Sequence, residues 1–126
     1  MKKRLFLIVG SAQMYRAHFA FIRNPLRTRQ GEFTSVVYGF LNGLVSLLQK
    51  EQPSHLAIVF DTPEPTFRHR AYADYKATRQ KMPDDLVGQI ARVDQVLAAT
   101  GIPVMRLPGW EADDVIGTVA KQAERE

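Results

Sequence analysis

Three apolar runs stand out along the chain, over residues 5–9 (LFLIV), 55–61 (HLAIVFD) and 102–107 (IPVMRL). The first run is apolar at every position, which is typical of a strand covered on both faces of a sheet. The second run ends in a carboxylate, Asp61, and the third is followed by a Pro-Gly pair. The pattern therefore predicts three β-strands, each ending at a turn.

Helical periodicity fills the segments between these runs. It predicts helices over residues 12–21, 35–50 and 83–100, and a last one from about Glu111 to the end. The apolar positions of the second and third helices are Val37, Phe40, Leu41, Leu44, Leu48 and Leu86, Ile90, Val93, Leu97. Thr34 and Ser35 suit an N-cap. Strands that alternate with helices indicate an α/β fold, a three-layer αβα sandwich around a parallel sheet, with about three strands and four to five helices.

Composition narrows the class of protein. The 126 residues are 45% hydrophobic and 24% charged, as expected for one globular domain. There is no cysteine, which excludes disulfides and thiolate metal sites. A basic start, Lys2 to Arg4, precedes an apolar run of only five residues, too short for a signal peptide. No stretch is long enough to span a membrane, so we expect a cytoplasmic protein without a membrane partner.

Charge is distributed unevenly along the chain. Residues 1–81 contain thirteen Lys and Arg against five Asp and Glu, whereas residues 82–126 contain four against eight. A basic first part and an acidic last part suit a protein that binds an anionic polymer with one region and a cation with the other. A solvated surface of mixed charge explains the same counts.

Acidic residues follow two of the predicted strands. Asp61 ends the second, and the third is followed within a few residues by Glu111, Asp113 and Asp114 in GWEADDVIG. The carboxyl ends of parallel strands meet at one edge of the sheet, and grouped carboxylates suit Mg²⁺ or Mn²⁺. The structural alternative is that acids in the first turn of a helix stabilise its dipole. With Asp61 on the same edge, the pattern favours a metal site.

Residues 66–82 mix basic and aromatic side chains and follow neither the helical nor the strand periodicity of apolar positions. The set includes Arg68, Tyr72, Tyr75, Lys76 and Arg79. Basic groups neutralise phosphates and aromatic rings stack on unpaired bases, so this segment is a candidate grip for single-stranded nucleic acid. A charged surface loop whose aromatics pack on the core is the alternative. Arg16, on the first helix, is expected to face the same crevice.

Other kinds of site find little support. His18, His55 and His69 have no partner at metal-ligand or triad spacing, and Ser11 has no general base near it in sequence. Gly10 and Ser11 lack the lysine and second glycine of a phosphate-binding loop. Covalent catalysis and nucleotide hydrolysis are therefore disfavoured.

Several stretches together resemble a known family over nearly the whole chain. They are LFLI-GS-YRAHFAF, RNPLRT, TSVVYGFLN, FDTPEPTFRH, YADYKATR, MPDDL and GIPVMRLPGWEADDVIGT. In order and spacing they are similar to the N-terminal part of the 5′-nuclease domain of bacterial DNA polymerase I, in the flap-endonuclease group with a PIN-like fold. By this resemblance, residues 1–126 form a truncated 5′-nuclease domain that contains a basic arch-like segment, residues 66–82.

The resemblance implies a 5′-3′ exonuclease or flap endonuclease of DNA replication and repair. Such enzymes hydrolyse phosphodiesters at DNA 5′ ends or flaps with two Mg²⁺ or Mn²⁺ ions. The residues that match the acidic metal-site positions are Asp61, Glu111, Asp113 and Asp114. Arg68, Lys76 and Arg79 match basic residues of a helical arch around the 5′ strand, with Tyr72 and Tyr75 among them. Arg16 matches a basic residue near the scissile phosphate.

Two departures from the family pattern bear on activity. Relatives read L-I-D-G where this chain has Leu7-Ile8-Val9-Gly10, and that aspartate is a direct metal ligand. The family domain also continues into a second acidic cluster and a helix-hairpin-helix element, whereas this sequence stops at Glu126. We therefore expect metal binding and cleavage to be strongly weakened. The alternative function is a non-catalytic DNA-binding or self-assembling αβα scaffold.

The shortened strand order also suggests self-association. In the family the first strand is central, so a three-stranded version would leave it at the edge of the sheet. An apolar edge strand is a template for pairing, and we expect a homodimer or larger oligomer. On the same reasoning, Val9 in place of a buried carboxylate should favour the stability of the fragment.

Overall fold

A computed structural model describes residues 3–62 and 83–125. The strands are β1 (Leu5–Val9), β2 (His55–Val59) and β3 (Val104–Met105). The helices are α1 (Gly10–Ala20), α2 (Ser35–Glu51), α3 (Asp84–Thr100) and α4 (Ala112–Glu124). In the part of the chain described, no helix is long and apolar enough to cross a membrane.

The three strands form one parallel sheet in the order β1-β2-β3. Leu5 pairs with His55 and Val9 with Val59, so β1 and β2 end side by side. β3 pairs with β2 through only two residues, Val104 and Met105, because the loop at Arg106 leaves the ladder. The predicted parallel sheet is confirmed, although β2 and β3 are shorter than their apolar runs.

Helices cover both faces of this sheet, which confirms the predicted three-layer αβα class. On one face Ile58 and Phe60 pack with buried residues of α1, α2 and α3. The buried members contributed by those helices are Met14, Val36, Phe40, Leu44, Leu86, Val93 and Leu97. On the other face Val59 packs against Ala112 and Val115 of α4. Alternate residues of β2 therefore contact opposite helical layers, as the pleat requires.

The apolar pattern of α2 is buried only over its first ten residues. Phe40 and Leu44 are buried, but Leu48, which continues the same helical spacing, is 38% exposed. The buried residues of α2 all fall between Ser35 and Leu44. The later turns therefore lie beyond the part of the helix that packs on the core.

The start of α2 is capped by another helix. Thr34 occupies the N-cap position but makes no side-chain capping bond, and the Ser35 hydroxyl accepts instead from the Leu26 N–H at 2.7 Å. The buried Gln89 of α3 supplies the acceptor: its Oε1 lies 2.7 Å from the N of Val36. Helix N-termini need such acceptors for their first N–H groups. Thr34 is therefore the N-cap residue, as predicted, but the acceptor comes from a distant residue and not from the side chain of Thr34 or Ser35.

Candidate functional site

The site is built at the carboxyl ends of β1 and β2, where both meet the start of α4. Asp61 lies two residues beyond β2, and its Oδ1 accepts a hydrogen bond of 2.7 Å from the N of Ala112, the first residue of α4. This contact joins residues 51 positions apart in sequence. It brings Asp61 against the turn that carries Glu111, Asp113 and Asp114.

Two of these acids cap α4. Glu111 is the N-cap residue and Asp114 the third residue of the helix, and each side chain accepts from the backbone N–H of the other. The distance from the Glu111 N to the Asp114 Oδ2 is 3.3 Å. This is a capping box, which satisfies two N–H groups that the helix itself leaves without an acceptor. Glu111 is buried and Asp113 is exposed.

The positive end of the α4 dipole lies among these carboxylates. Asp113 and Asp114 are in the first turn, and Asp61 accepts from the first helical N–H. Carboxylates are stabilised there by about 0.3–1 kcal/mol each at exposed positions. The arrangement therefore serves the helix in addition to any cation it holds.

A buried hydroxyl beside Asp61 is left unsatisfied. The Oγ1 of Thr62 is buried and has no hydrogen-bond partner among the described residues. Nearly all buried polar atoms are paired in native proteins, so this hydroxyl is an exception among the described residues. We call the four carboxylates Asp61, Glu111, Asp113 and Asp114 the acidic rim. Carboxylate oxygens are the ligands preferred by Mg²⁺ and Mn²⁺, so the chemistry of this rim fits a hard divalent cation.

The acids are not assembled into a complete metal cage. Within residues 3–62 and 83–125, no three His, Cys, Asp or Glu side chains lie close enough to hold a metal ion. Glu111 and Asp114 are turned toward the backbone of α4, which keeps their oxygens on the N–H groups they cap. Metal binding at this rim therefore requires some of these side chains to turn toward the cation.

Ser11 holds Asp61 from the side of α1. Its Oγ accepts a hydrogen bond of 3.2 Å from the Asp61 N–H. Sequence reasoning considered Ser11 only as a nucleophile and missed this role. The sequence feature that could have predicted this contact is the position of Ser11 directly after the first strand. In a parallel sheet that position lies next to the end of the second strand.

Val9 lies at the rim beside these residues. It is half-buried and is the Cα partner of Val59, so its side chain projects toward the face of the sheet that α4 covers. Val9 is also the N-cap residue of α1 and makes no side-chain capping bond. A valine here provides neither a metal ligand nor a helix cap.

Arg16 lies on the exposed side of α1, in a groove of about 620 Å³ between α1 and α2. The polar residues that line this groove with it include Gln13, Asn42, Ser46 and Lys50. Ile8, next to Val9, also lines it, so the groove reaches β1 near the rim. The expected nucleic-acid contacts of residues 66–82, which are Arg68, Tyr72, Tyr75, Lys76 and Arg79, lie outside the described residues.

Comparison with known proteins identifies close relatives. Residues 4–126 match the family model described as the 5′-3′ exonuclease, N-terminal resolvase-like domain. A 5′-3′ exonuclease of Aquifex aeolicus is 47% identical over 120 residues, which cover 95% of this chain and 41% of that protein. DNA polymerase I of Mycobacterium bovis is 45% identical over 125 residues, 99% of this chain and 14% of that protein. The chain thus spans less than half the length of these relatives.

Solved structures agree on the fold. The bacteriophage T5 5′-exonuclease with bound divalent zinc superposes with a TM-score of 0.65 at 18% identity, over 95% of this chain and 44% of that one. At this identity the match supports the PIN-like fold of the sandwich described above.

Proposed function

Because the chain belongs to the 5′-3′ exonuclease N-terminal, resolvase-like domain family, we propose that its acidic rim is the metal site of a 5′-nuclease. The substrate class is DNA with a 5′ end or a 5′ flap. The cofactor is Mg²⁺ or Mn²⁺, the cations suited to a set of carboxylate oxygens. A bound divalent cation supplies charge stabilisation and an activated water at a phosphodiester.

One contact carries this proposal. The hydrogen bond from Ala112 N to Asp61 Oδ1 joins the end of β2 to the acidic start of α4. The capping box of Glu111 and Asp114 satisfies two N–H groups at this helix start, and Asp61 satisfies a third, that of Ala112. Four carboxylates, including Asp61 and Asp113, nevertheless lie at one helix start, and a cation is the natural counterion for so much negative charge.

The side chains at and near the rim would have different roles in binding the cation and the DNA. Asp61 and Asp113 would provide the first oxygens to a cation, and Glu111 and Asp114 would follow as their side chains turn from the capping box. Ser11 fixes the backbone of Asp61 through its 3.2 Å hydrogen bond. Arg16 and the basic residues of segment 66–82, Arg68, Lys76 and Arg79 with Tyr72 and Tyr75, would bind phosphates and bases of the 5′ strand.

Val9 sets the level of activity in this proposal. It places an apolar side chain at the rim, directly beside Val59, where the family pattern has an acidic ligand. One fewer anionic ligand weakens cation binding. We therefore propose that the chain cleaves DNA slowly and binds it in a salt-sensitive manner.

A second candidate function is a non-catalytic DNA-binding scaffold that self-associates. It is favoured by the capping roles of Glu111 and Asp114, which give these acids a use without any metal. It is also favoured by β1, which pairs only with β2 among the described strands.

A cleavage assay with charge-neutral variants separates the two candidates. The substrate is 5′-labelled flap DNA in Mg²⁺ or Mn²⁺, and the variant is Asp61→Asn, whose amide oxygen still accepts from Ala112 N–H while the charge is lost. Glu124→Gln is the matched control because it removes the same charge at the far end of α4. We expect Asp61→Asn to lower cleavage and Mn²⁺ affinity at least ten-fold and the control to change neither.

Cleavage that survives Asp61→Asn unchanged would exclude the proposed site. DNA binding without cleavage in every variant, including Val9→Asp, would instead support the scaffold.

A further inference from the structure

A tight turn precedes the acidic rim. The N–H of Trp110 donates to the carbonyl oxygen of Leu107 at 3.2 Å, which closes the four-residue turn Leu107-Pro108-Gly109-Trp110. Gly109 has a φ of 88°, a conformation that favours glycine, and the proline before it fixes its own φ. Proline then glycine at the central positions is the sequence of a type II turn. Both central residues therefore limit the conformations of this segment.

The base of the turn is anchored to the protein body. The guanidinium of Arg106 lies 4.3 Å from the centre of the Phe60 ring and pairs with Asp94 of α3. Phe60 is buried in the main core. Arg106, the basic residue of this loop, is therefore held by Phe60 and Asp94. The exposed side chains of the turn that follows are apolar, Leu107 and Trp110.

Both ends of the turn are large, half-exposed apolar residues. Leu107 and Trp110 are each 51% exposed, and Trp110 is the protein's single tryptophan. Scattered exposed apolar residues are common on proteins. Leu107 and Trp110 lie on a turn of restricted conformation. This turn therefore loses little conformational entropy when it binds a flat apolar group.

The turn lies next to the acidic rim, and this position indicates which kind of ligand it can bind. Trp110 directly precedes Glu111, the N-cap of α4, so its Cα lies about 3.8 Å from that of the first rim acid. Carboxylates at the rim repel a phosphate backbone unless a cation lies between them, so a contact that does not depend on charge can hold the strand beside the rim with or without the cation. Stacking on a base is independent of charge, and tryptophan offers a large ring for it.

We propose that the Leu107–Trp110 turn is a stacking platform for an unpaired nucleobase of the DNA strand whose phosphate lies at the acidic rim. The inference rests on the proposed function, because it assumes that DNA reaches this rim. It adds Trp110, as a residue that contacts a base, to the residues that the family resemblance assigns.

Tryptophan fluorescence tests the platform directly, because Trp110 is the protein's single tryptophan and excitation that avoids tyrosine reports on it alone. The protein is titrated with a labelled single-stranded oligonucleotide in EDTA and again in Ca²⁺, and both the tryptophan emission and the anisotropy of the DNA label are recorded. We expect binding to quench the emission. An oligonucleotide with abasic sites should bind more weakly and quench less.

Variants give a second measurement. Trp110→Ala should weaken binding about ten-fold, within the roughly 5- to 150-fold expected for one stacked base, and Trp110→Phe should retain most of the affinity. Phe19→Ala is the matched control, because Phe19 is 58% exposed near the far end of α1. That control should bind DNA like the parent.

The outcomes separate the two proposals. If the anisotropy reports DNA binding while the emission is unchanged and Trp110→Ala binds normally, the platform is wrong and the proposed function stands. If the anisotropy reports no DNA binding under any condition, the proposed function fails and the platform fails with it. Quenching together with weaker binding of Trp110→Ala supports both.

Discussion

At the scale of single residues, Val9 has two roles that a substitution changes together. It lies at the rim beside Val59, and it is also the N-cap of α1 without a capping side chain. An aspartate there would add a carboxylate to an acidic rim, which is unfavourable, and would also cap α1, which is worth about 0.5–2 kcal/mol. The two effects oppose each other. The expected benefit of valine to stability is therefore smaller than burial alone indicates.

We predict that Val9→Asp raises Mn²⁺ affinity and flap cleavage at least ten-fold, while the free energy of unfolding without metal changes by less than about 1 kcal/mol because capping offsets repulsion. Val9→Asn is the control, since it caps the helix without adding charge. Calorimetric titration with Mn²⁺ and urea unfolding in EDTA measure both quantities. Equal metal affinity in the two variants would show that position 9 is not a ligand position.

The residues of the rim differ in how far sequence could predict them. The placement of Asp61 near the start of α4 follows from topology, because ends of parallel strands share one edge. The contacts of Ser11 and the unsatisfied hydroxyl of Thr62 do not follow, since they depend on side-chain directions that no periodicity encodes. The capping box of Glu111 was visible in the sequence only as a general preference for acids at a helix start.

At the scale of elements, the helices agree with their periodic patterns and the strands are shorter than theirs. α3 ends at Thr100 with Gly101 as its C-cap, and α4 begins after Glu111, close to the predicted bounds. β3 contains only two of the six positions in its predicted run, because the run continues into the loop that leads to the turn. The cap on α2 could not be predicted, because Gln89 is 53 residues away from the N–H it accepts from.

The crossing of α1 and α2 provides a test of packing at the element scale. A Cβ on Gly39 would lie 2.6 Å from the Cβ and 3.3 Å from the Cα of Ala17, so the two helices would have to separate. We predict that Gly39→Ala destabilises the protein by about 1–3 kcal/mol. Gly43→Ala, one turn later with no atom within 4 Å, should stabilise it by about 0.5–1 kcal/mol.

Chemical unfolding with circular dichroism at matched concentrations measures both glycine variants. Equal stability of the two alanine variants would contradict the close contact between the helices.

At the scale of the whole molecule, β1 is one of the two edge strands of the sheet among the described strands. Its only strand partner in that part of the chain is β2, and Leu5 at its start is 37% exposed. Unpaired N–H and C=O groups along such an edge can pair with another chain. The self-association expected from the sequence stays a prediction.

We predict that the protein self-associates as its concentration rises and that Leu5→Lys weakens this association, because lysine on an edge strand opposes pairing. Val45→Lys makes the same change on an exposed part of α2 and should have no effect. Light scattering after size-exclusion chromatography measures the mass. A monomer at the highest soluble concentration would contradict the prediction.

The amide of Gln89 has a consequence for recombining this protein with its relatives. It caps Val36 N–H and, through its own Nε2, donates to the carbonyl of Asp85 at 3.0 Å. A chimera whose crossover point falls between residues 37 and 89 would inherit the start of α2 from one parent and its acceptor from the other. Such hybrids should fold well only when the second parent also carries an acceptor side chain at the position of Gln89.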